Sequence, residues 1–252
     1  MKTSITTVII LLMCTVTLSA QESNAPKFGK GLFNLKGEDN SWSMKIGARM
    51  QFLGTSTWLS RGSGLSDVET SMLVRRARLK FSGFAFSPKL QYKLELGLTN
   101  KDIGGASAYT NNAPRYILDA VVKWNFHENF VLWVGQTKLP GNRERVVSSA
   151  NLQQVDRSLL NKRFNIDRDM GIQLRHHFNI SDDFIVKEAF SIAQGEGRNV
   201  TTGNLGGFQY TARVELLPFG NFTSKGDYVG SDLKREENLK WAFAASYDLN
   251  NN

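Results

Sequence analysis

Leu90-Gln91-Tyr92-Lys93-Leu94-Glu95-Leu96-Gly97-Leu98-Thr99 alternates residue by residue. Leu90, Tyr92, Leu94, Leu96 and Leu98 fall on one face, and Gln91, Lys93, Glu95 and Thr99 on the other. Successive side chains of a strand point to opposite sides, so the segment is a strand with one apolar and one polar face. Soluble strands usually run to about five or six residues. A tilted strand that crosses a bilayer needs roughly 9–11, the length seen here.

The same dyad pattern recurs on both sides of this segment. Trp42, Met44, Ile46, Ala48, Met50 and Phe52 oppose Lys45, Arg49 and Gln51, and Ala77, Leu79 and Phe81 oppose Arg76, Arg78 and Lys80. Downstream, Tyr116, Leu118, Ala120, Val122 and Trp124 oppose Asp119, Lys123 and Asn125. Phe130 to Thr137 is apolar on both faces. Met170, Ile172, Leu174 and Phe178 then oppose Gln173, Arg175 and Asn179. Phe184, Val186, Phe190 and Ile192 oppose Lys187 and Ser191, although Glu188 shares the apolar face. Phe208 to Leu216 alternates against Gln209, Thr211, Arg213 and Glu215, and a ninth strand runs from Leu239 to Leu249. Tyr92, Tyr116, Trp124, Phe126 and Tyr247 stand near strand ends on the apolar face, as an interfacial aromatic girdle does.

The connections sort by length. Ser60 to Ser71, Lys101 to Arg115, Lys138 to Arg168 and Gly195 to Gly207 are long, whereas Ser87-Pro88-Lys89, His127-Glu128-Asn129 and Ser181-Asp182-Asp183 are short. Long loops alternating with short turns are the rhythm of outer-membrane barrels, with the short turns on the periplasmic side. The connection from Pro218 to Asn238 breaks it, being long where a short turn belongs. Nine strands is an odd count, and single-chain bacterial barrels close with an even number. An open sheet edge is not viable in lipid, so the expectation is a chain that is the front part of a longer barrel. The rival all-β fold is a soluble sandwich or lipocalin-like barrel, which has no reason to sort its loops this way.

Residues 1–20 predict a secretory signal peptide: Met1-Lys2, an apolar stretch from Ile5 to Leu18, and cleavage after Ala20. A lipoprotein signal using Cys14 fits less well, because Met13 is bulky and Cys14 lies within the apolar stretch. Cys14 is the only cysteine, so the mature chain is expected to hold no disulfide, cysteine-based zinc site or iron–sulfur cluster. Residues 21–41 form a mature N-terminal segment, and 42–252 the barrel portion. The formal charge of +8 points to anionic partners, and export makes nucleic acid the least fitting of them. No Gly-x-x-x-x-Gly-Lys or Gly-x-Ser-x-Gly motif occurs, Gly195-Glu196-Gly197 opens no helix, and His176 and His177 alternate to opposite faces. No enzyme, metal or cofactor is therefore expected.

Three segments in order, Val74-Arg75-Arg76-Ala77-Arg78-Leu79, Gly135-Gln136-Thr137-Lys138-Leu139-Pro140, and Asp156-Arg157-Ser158-Leu159 followed by Arg168-Asp169-Met170-Gly171, resemble the phosphate-selective porin O and P family. The resemblance runs from about Trp42 to the C-terminus. It implies a homotrimeric, sixteen-stranded antiparallel transmembrane β-barrel in a Gram-negative outer membrane, in contact with outer-membrane lipid, of which this chain covers about half. It further implies that residues 138–168 fold inward as a constriction loop and that inward basic residues guide anions such as phosphate.

A charge facing lipid at mid-membrane costs ~2–4 kcal/mol. Lys45, Arg49, Arg76, Arg78, Lys80, Lys93, Lys123, Arg175 and Arg213 are therefore expected to face the lumen, with Arg143, Arg145, Arg157, Arg163 and Arg168 as candidates on the constriction loop. Two roles are open to them. They form a path for passive diffusion of small anions, or they pair with Glu95, Asp119 and Glu215 and only solvate the lumen. The competing functions are a non-conducting barrel with a structural or assembly role and a soluble periplasmic binding module.

Overall fold

The computed structural model describes residues 31–61, 64–204 and 206–251. The expected signal peptide and its cleavage after Ala20 lie outside the described residues. Ten strands form one antiparallel meander in which each pairs with its neighbours in sequence. They are β1 (Phe33–Lys36), β2 (Trp42–Arg61), β3 (Gly64–Ala85), β4 (Ser87–Gly97), β5 (Ile117–His127), β6 (Phe130–Lys138), β7 (Arg168–Asn179), β8 (Ile185–Ala193), β9 (Gln209–Leu217) and β10 (Phe243–Asn250). The fold is all-β, as the alternation requires, and has the form of a porin-type barrel wall. The sheet is not closed among the described residues, and β1 and β10 are its edges.

Several elements differ from the sequence pattern. Strand β1 was not expected; four residues are too few to display a period. The expected loop from Ser60 to Ser71 is instead the upper part of a long hairpin, with Thr57 paired to Glu69 and Arg61 to Gly64. Its adjacent rungs carry hydroxyl pairs, Thr55 with Ser71 at 2.7 Å and Ser56 with Thr70 at 3.0 Å. Neighbouring residues face opposite sides, so both faces are polar here and this part of the hairpin suits water rather than hydrocarbon. Polarity without alternation made it read as a loop. The last strand begins at Phe243 rather than Leu239.

Of the register shifts in the sheet, two β-bulges within β3 and β5 re-aim inward-facing residues. Gln51 pairs with Arg76 and Phe52 with Val74, which leaves Arg75 as the extra residue. Glu95 pairs with Asp119 and Leu96 with Ile117, which leaves Leu118 extra. A bulge opposes two residues to one and re-aims their side chains. Leu118, expected on the lipid face, is accordingly only 2% exposed and lines the interior beside Asp119. Arg75 and Arg76, which plain alternation would set on opposite faces, both reach Asp156.

Phe86, residues 128–129 and residues 180–184 make the turns at one end of the sheet; residues 98–116, 139–167 and 194–208 make the connections at the other. Aromatic rings run around the short-turn end on the outer face. Trp124, Phe126, Phe130, His176 and Phe178 are each within 6.1 Å of the next between ring centroids. Phe219, Trp241 and Phe243 extend the belt at β9 and β10. The belt also accounts for Glu188 on the apolar face: it pairs with His176 at 3.1 Å, where the interface is wet enough for a polar pair. In β6, Gly135 (φ +128°) faces Gly171 across the ladder. A Cβ on Gly135 would lie 2.2 Å from the Ala120 carbonyl oxygen, so only glycine fits.

Ile172 is exposed near the middle of β7, on the outer face. Ile172→Arg is expected to cost ~2–4 kcal/mol of folding free energy, measured by urea titration of the full-length protein in lipid vesicles. A neutral result would mean that this face does not meet hydrocarbon.

Candidate functional site

The inner face follows from the same alternation. Lys45 and Arg49 on β2, Arg76, Arg78 and Lys80 on β3, Lys93 on β4, Lys123 on β5, Arg175 on β7 and Arg213 on β9 all line one cavity of about 1680 Å³. Residues 139–167 fold into this cavity, which their Val146, Ser148, Ser149, Ala150 and Arg157 also line. Of the expected loop candidates, Arg145, Arg157 and Arg168 line the cavity, whereas Arg143 and Arg163 are not among its lining residues. Lys138 and Arg168, taken from sequence as the loop's ends, are paired residues of β6 and β7.

The root of the loop is pinned by one carboxylate. Asp119 is 1% exposed. It accepts from Arg168 Nε at 3.1 Å and Nη2 at 3.2 Å, from Lys93 Nζ at 2.7 Å and from Thr137 Oγ1 at 2.9 Å. At the opposite wall the Gly141 carbonyl accepts from Arg213 Nη1 at 2.7 Å and from Ser246 Oγ at 3.0 Å, while Arg213 also binds Glu215. Three short helices lie in the connections: α1 (Asn100–Ile103), α2 (Arg143–Val146) and α3 (Leu159–Arg163). Lys138 Nζ donates to the carbonyls of Arg145 (2.7 Å) and Val147 (3.0 Å) at the end of α2, which suits a cation at a helix C-terminus. Arg157 donates to the carbonyls of Glu144 (2.7 Å) and Val147 (3.0 Å), and Glu144 accepts from Ser158, which caps α3. Arg145 pairs with Asp167. On the facing wall Arg78 grips Asp102 of α1 at 2.5 and 2.7 Å and Glu95 at 3.0 Å.

Two groups stand out among the lining cations. Arg75, Arg76, Arg78, Lys93, Arg145, Arg168, Lys187 and Arg213 are in ion pairs. Lys45, Arg49, Lys80, Lys123, Arg157 and Arg175 have no carboxylate within ion-pair distance among the described residues. Arg49 donates to Ser149 Oγ at 2.8 Å, and Arg175 to Gln173 Oε1 at 2.9 Å. Lys123 and Arg175 both lie against the Trp133 ring, at 3.7 and 4.0 Å from its centroid. Altogether eighteen lysines and arginines line the cavity against six carboxylates, leaving aside Glu188, whose side chain pairs with His176 on the outer face. Within the loop, burial and then the like charges of neighbouring arginines push the Arg145 guanidinium down to about 9 and that of Arg157 down to about 10. Both stay protonated at neutral pH.

The sequence pointed to the basic positions but not to several of their partners. Trp133 was hidden because β6 is apolar on both faces; its signal was an aromatic at an inward position between the Lys123 and Arg175 strands. Arg75 was hidden by the bulge. Asp102 lies in a connection 24 residues from Arg78, and no local pattern joins the two.

The family model of the phosphate-selective porins O and P matches residues 59–231. The chain belongs to that family. The matched range takes in the end of β2 and all of β3 to β9, with the inward-folded loop. A comparison with curated proteins returns no significant match. That family is one of channels rather than of enzymes.

Breaking a buried ion pair from one side leaves uncompensated charge and costs roughly 3–5 kcal/mol. Asp119→Asn is expected to destabilise the full-length barrel by an amount of this order in urea unfolding. The loss should shrink when Arg168→Gln is added. Full additivity of the two substitutions would show that Asp119 does not anchor the loop through Arg168.

Proposed function

We propose that this porin lines a water-filled outer-membrane channel for passive diffusion of small anions, phosphate among them. One observation carries the reading: six of the lining cations have no carboxylate partner among the described residues, in a lumen where cations outnumber carboxylates. A charge held in a cleft with low-dielectric walls acts more strongly than in bulk water and raises the local concentration of counter-ions. Conduction needs several weak sites rather than one tight one, and Lys45, Arg49, Lys80, Lys123, Arg157 and Arg175 are distributed over four strands and the folded loop. Arginine adds bidentate geometry that matches a phosphate edge. The assembly is a homotrimer in contact with outer-membrane lipid, delivered after cleavage of the signal peptide.

The direct test is reconstitution of the full-length protein in planar bilayers under a salt gradient. The expected reversal potential has the sign of an anion-preferring pore, and added phosphate reduces the chloride current. Reversing Arg49, Lys80 and Lys123 together to glutamate should move the reversal potential toward cation preference. An unchanged potential in that triple variant would remove these residues from the ion path. The absence of step conductance in the wild type would leave a non-conducting barrel.

A further inference from the structure

The connection between β9 and β10, residues 218–242, leaves the end of the sheet where the turns between β3 and β4, β5 and β6, and β7 and β8 are short. It runs inward instead of turning back. Asp227 is buried and pairs with Lys187 on β8 at 3.0 Å. Tyr228 Oη donates to Glu215 on β9 at 2.8 Å. Both wall residues are on the lumen face. Two residues further on, the connection meets the tip of the 139–167 loop, which enters from the opposite end. Gly230 N donates to the Asn151 carbonyl at 2.6 Å, and Asn151 Nδ2 donates to the Tyr228 carbonyl at 3.3 Å.

The contact at Gly230 is backbone on backbone. A Cβ there would lie 2.5 Å from Gln153 N and 2.9 Å from the Asn151 carbonyl oxygen. These are main-chain atoms that cannot swing aside as a side chain would, so the approach requires glycine. Asn151 is two residues from Ser149, which holds Arg49 by the hydrogen bond at 2.8 Å. Asp227 and Tyr228 fix the connection to the wall, and Gly230 carries that fixed point to the loop tip.

We infer that residues 227–230 form a strut that positions the tip of the constriction loop, and with it Ser149 and Arg49, from the short-turn side of the lumen. The inference rests on the channel reading for its effect on ions and on the contacts alone for its mechanics. The aperture is then set from both ends of the barrel: by the Asp119 and Gly141 pins at the root of the loop and by the strut at its tip. Gly230 and Tyr228 are positioning residues, since they act through Asn151 and Ser149 rather than on the ion.

The test uses the full-length protein, with two variants and two readouts. Gly230→Val removes the close approach; Tyr228→Phe removes only the hydroxyl that ties the strut to Glu215 and leaves the ring. By hydrogen exchange in detergent, amides of residues 149–153 are expected to exchange about tenfold faster in Gly230→Val, the effect of losing roughly one net hydrogen bond. A smaller increase is expected in Tyr228→Phe, and none in α3. In bilayers, both variants should alter unit conductance and add open-channel noise, Gly230→Val the more. Unchanged exchange at 149–153 in both folded variants overturns the strut. Faster exchange with wild-type conductance and noise overturns its role in positioning the ion path. If the wild type does not conduct, the channel reading fails, and the exchange data still decide the contact.

Discussion

Hydrocarbon cannot solvate a charge, and this constraint governs the whole chain. It favours apolar residues at the outward positions of the crossing strands, and so turns most of their charged residues toward one interior. A cavity lined mainly by cations would repel itself if nothing intervened. Its carboxylates are accordingly placed where they bind most: Asp119 takes Arg168 and Lys93, Asp102 and Glu95 take Arg78, and Glu215 takes Arg213. The first two groups tie strand to strand or strand to inserted connection, and the pair within β9 holds Arg213 where it also reaches the Gly141 carbonyl, so charge compensation and loop anchoring go together. What is left over is the unpaired set, and its positive field is a residue of the architecture as much as a device added to it.

Trp133 shows a second way to tolerate clustered cations. Lys123 and Arg175 lie on the two strands that flank β6, without carboxylate partners among the described residues, and the indole between them offers the negative face of a π system to both. An aromatic partner steadies a cation without cancelling its charge, which a carboxylate would do. In a cavity lined mainly by cations, the indole therefore leaves the positive field in place.

The dyad faces, the loop-length rhythm and the inward direction of nine basic strand residues were legible in the sequence because each follows from local spacing. The folded loop was legible only through its likeness to a family. Pairings such as Asp119 with Arg168 and Arg75 with Asp156 join residues 49 and 81 positions apart, and no periodicity links them. The upper half of the β2–β3 hairpin was lost because both its faces are polar. The inward course of residues 218–242 was visible only as a length anomaly, since a chain that packs inside a polar lumen needs no apolar face to announce it.

The bulges at Arg75 and Leu118 mark places where outward positions change from even to odd numbers or back: Val74 and Ala77 both face out, as do Ile117 and Ala120. Removing the extra residue at either site would restore plain alternation on both sides of the cut. The same deletion elsewhere in β3 or β5 would turn the remainder of the strand inside out, with arginines in lipid and leucines in water. At these two positions the alternation thus permits a change of length by one residue that it forbids within an uninterrupted stretch of strand.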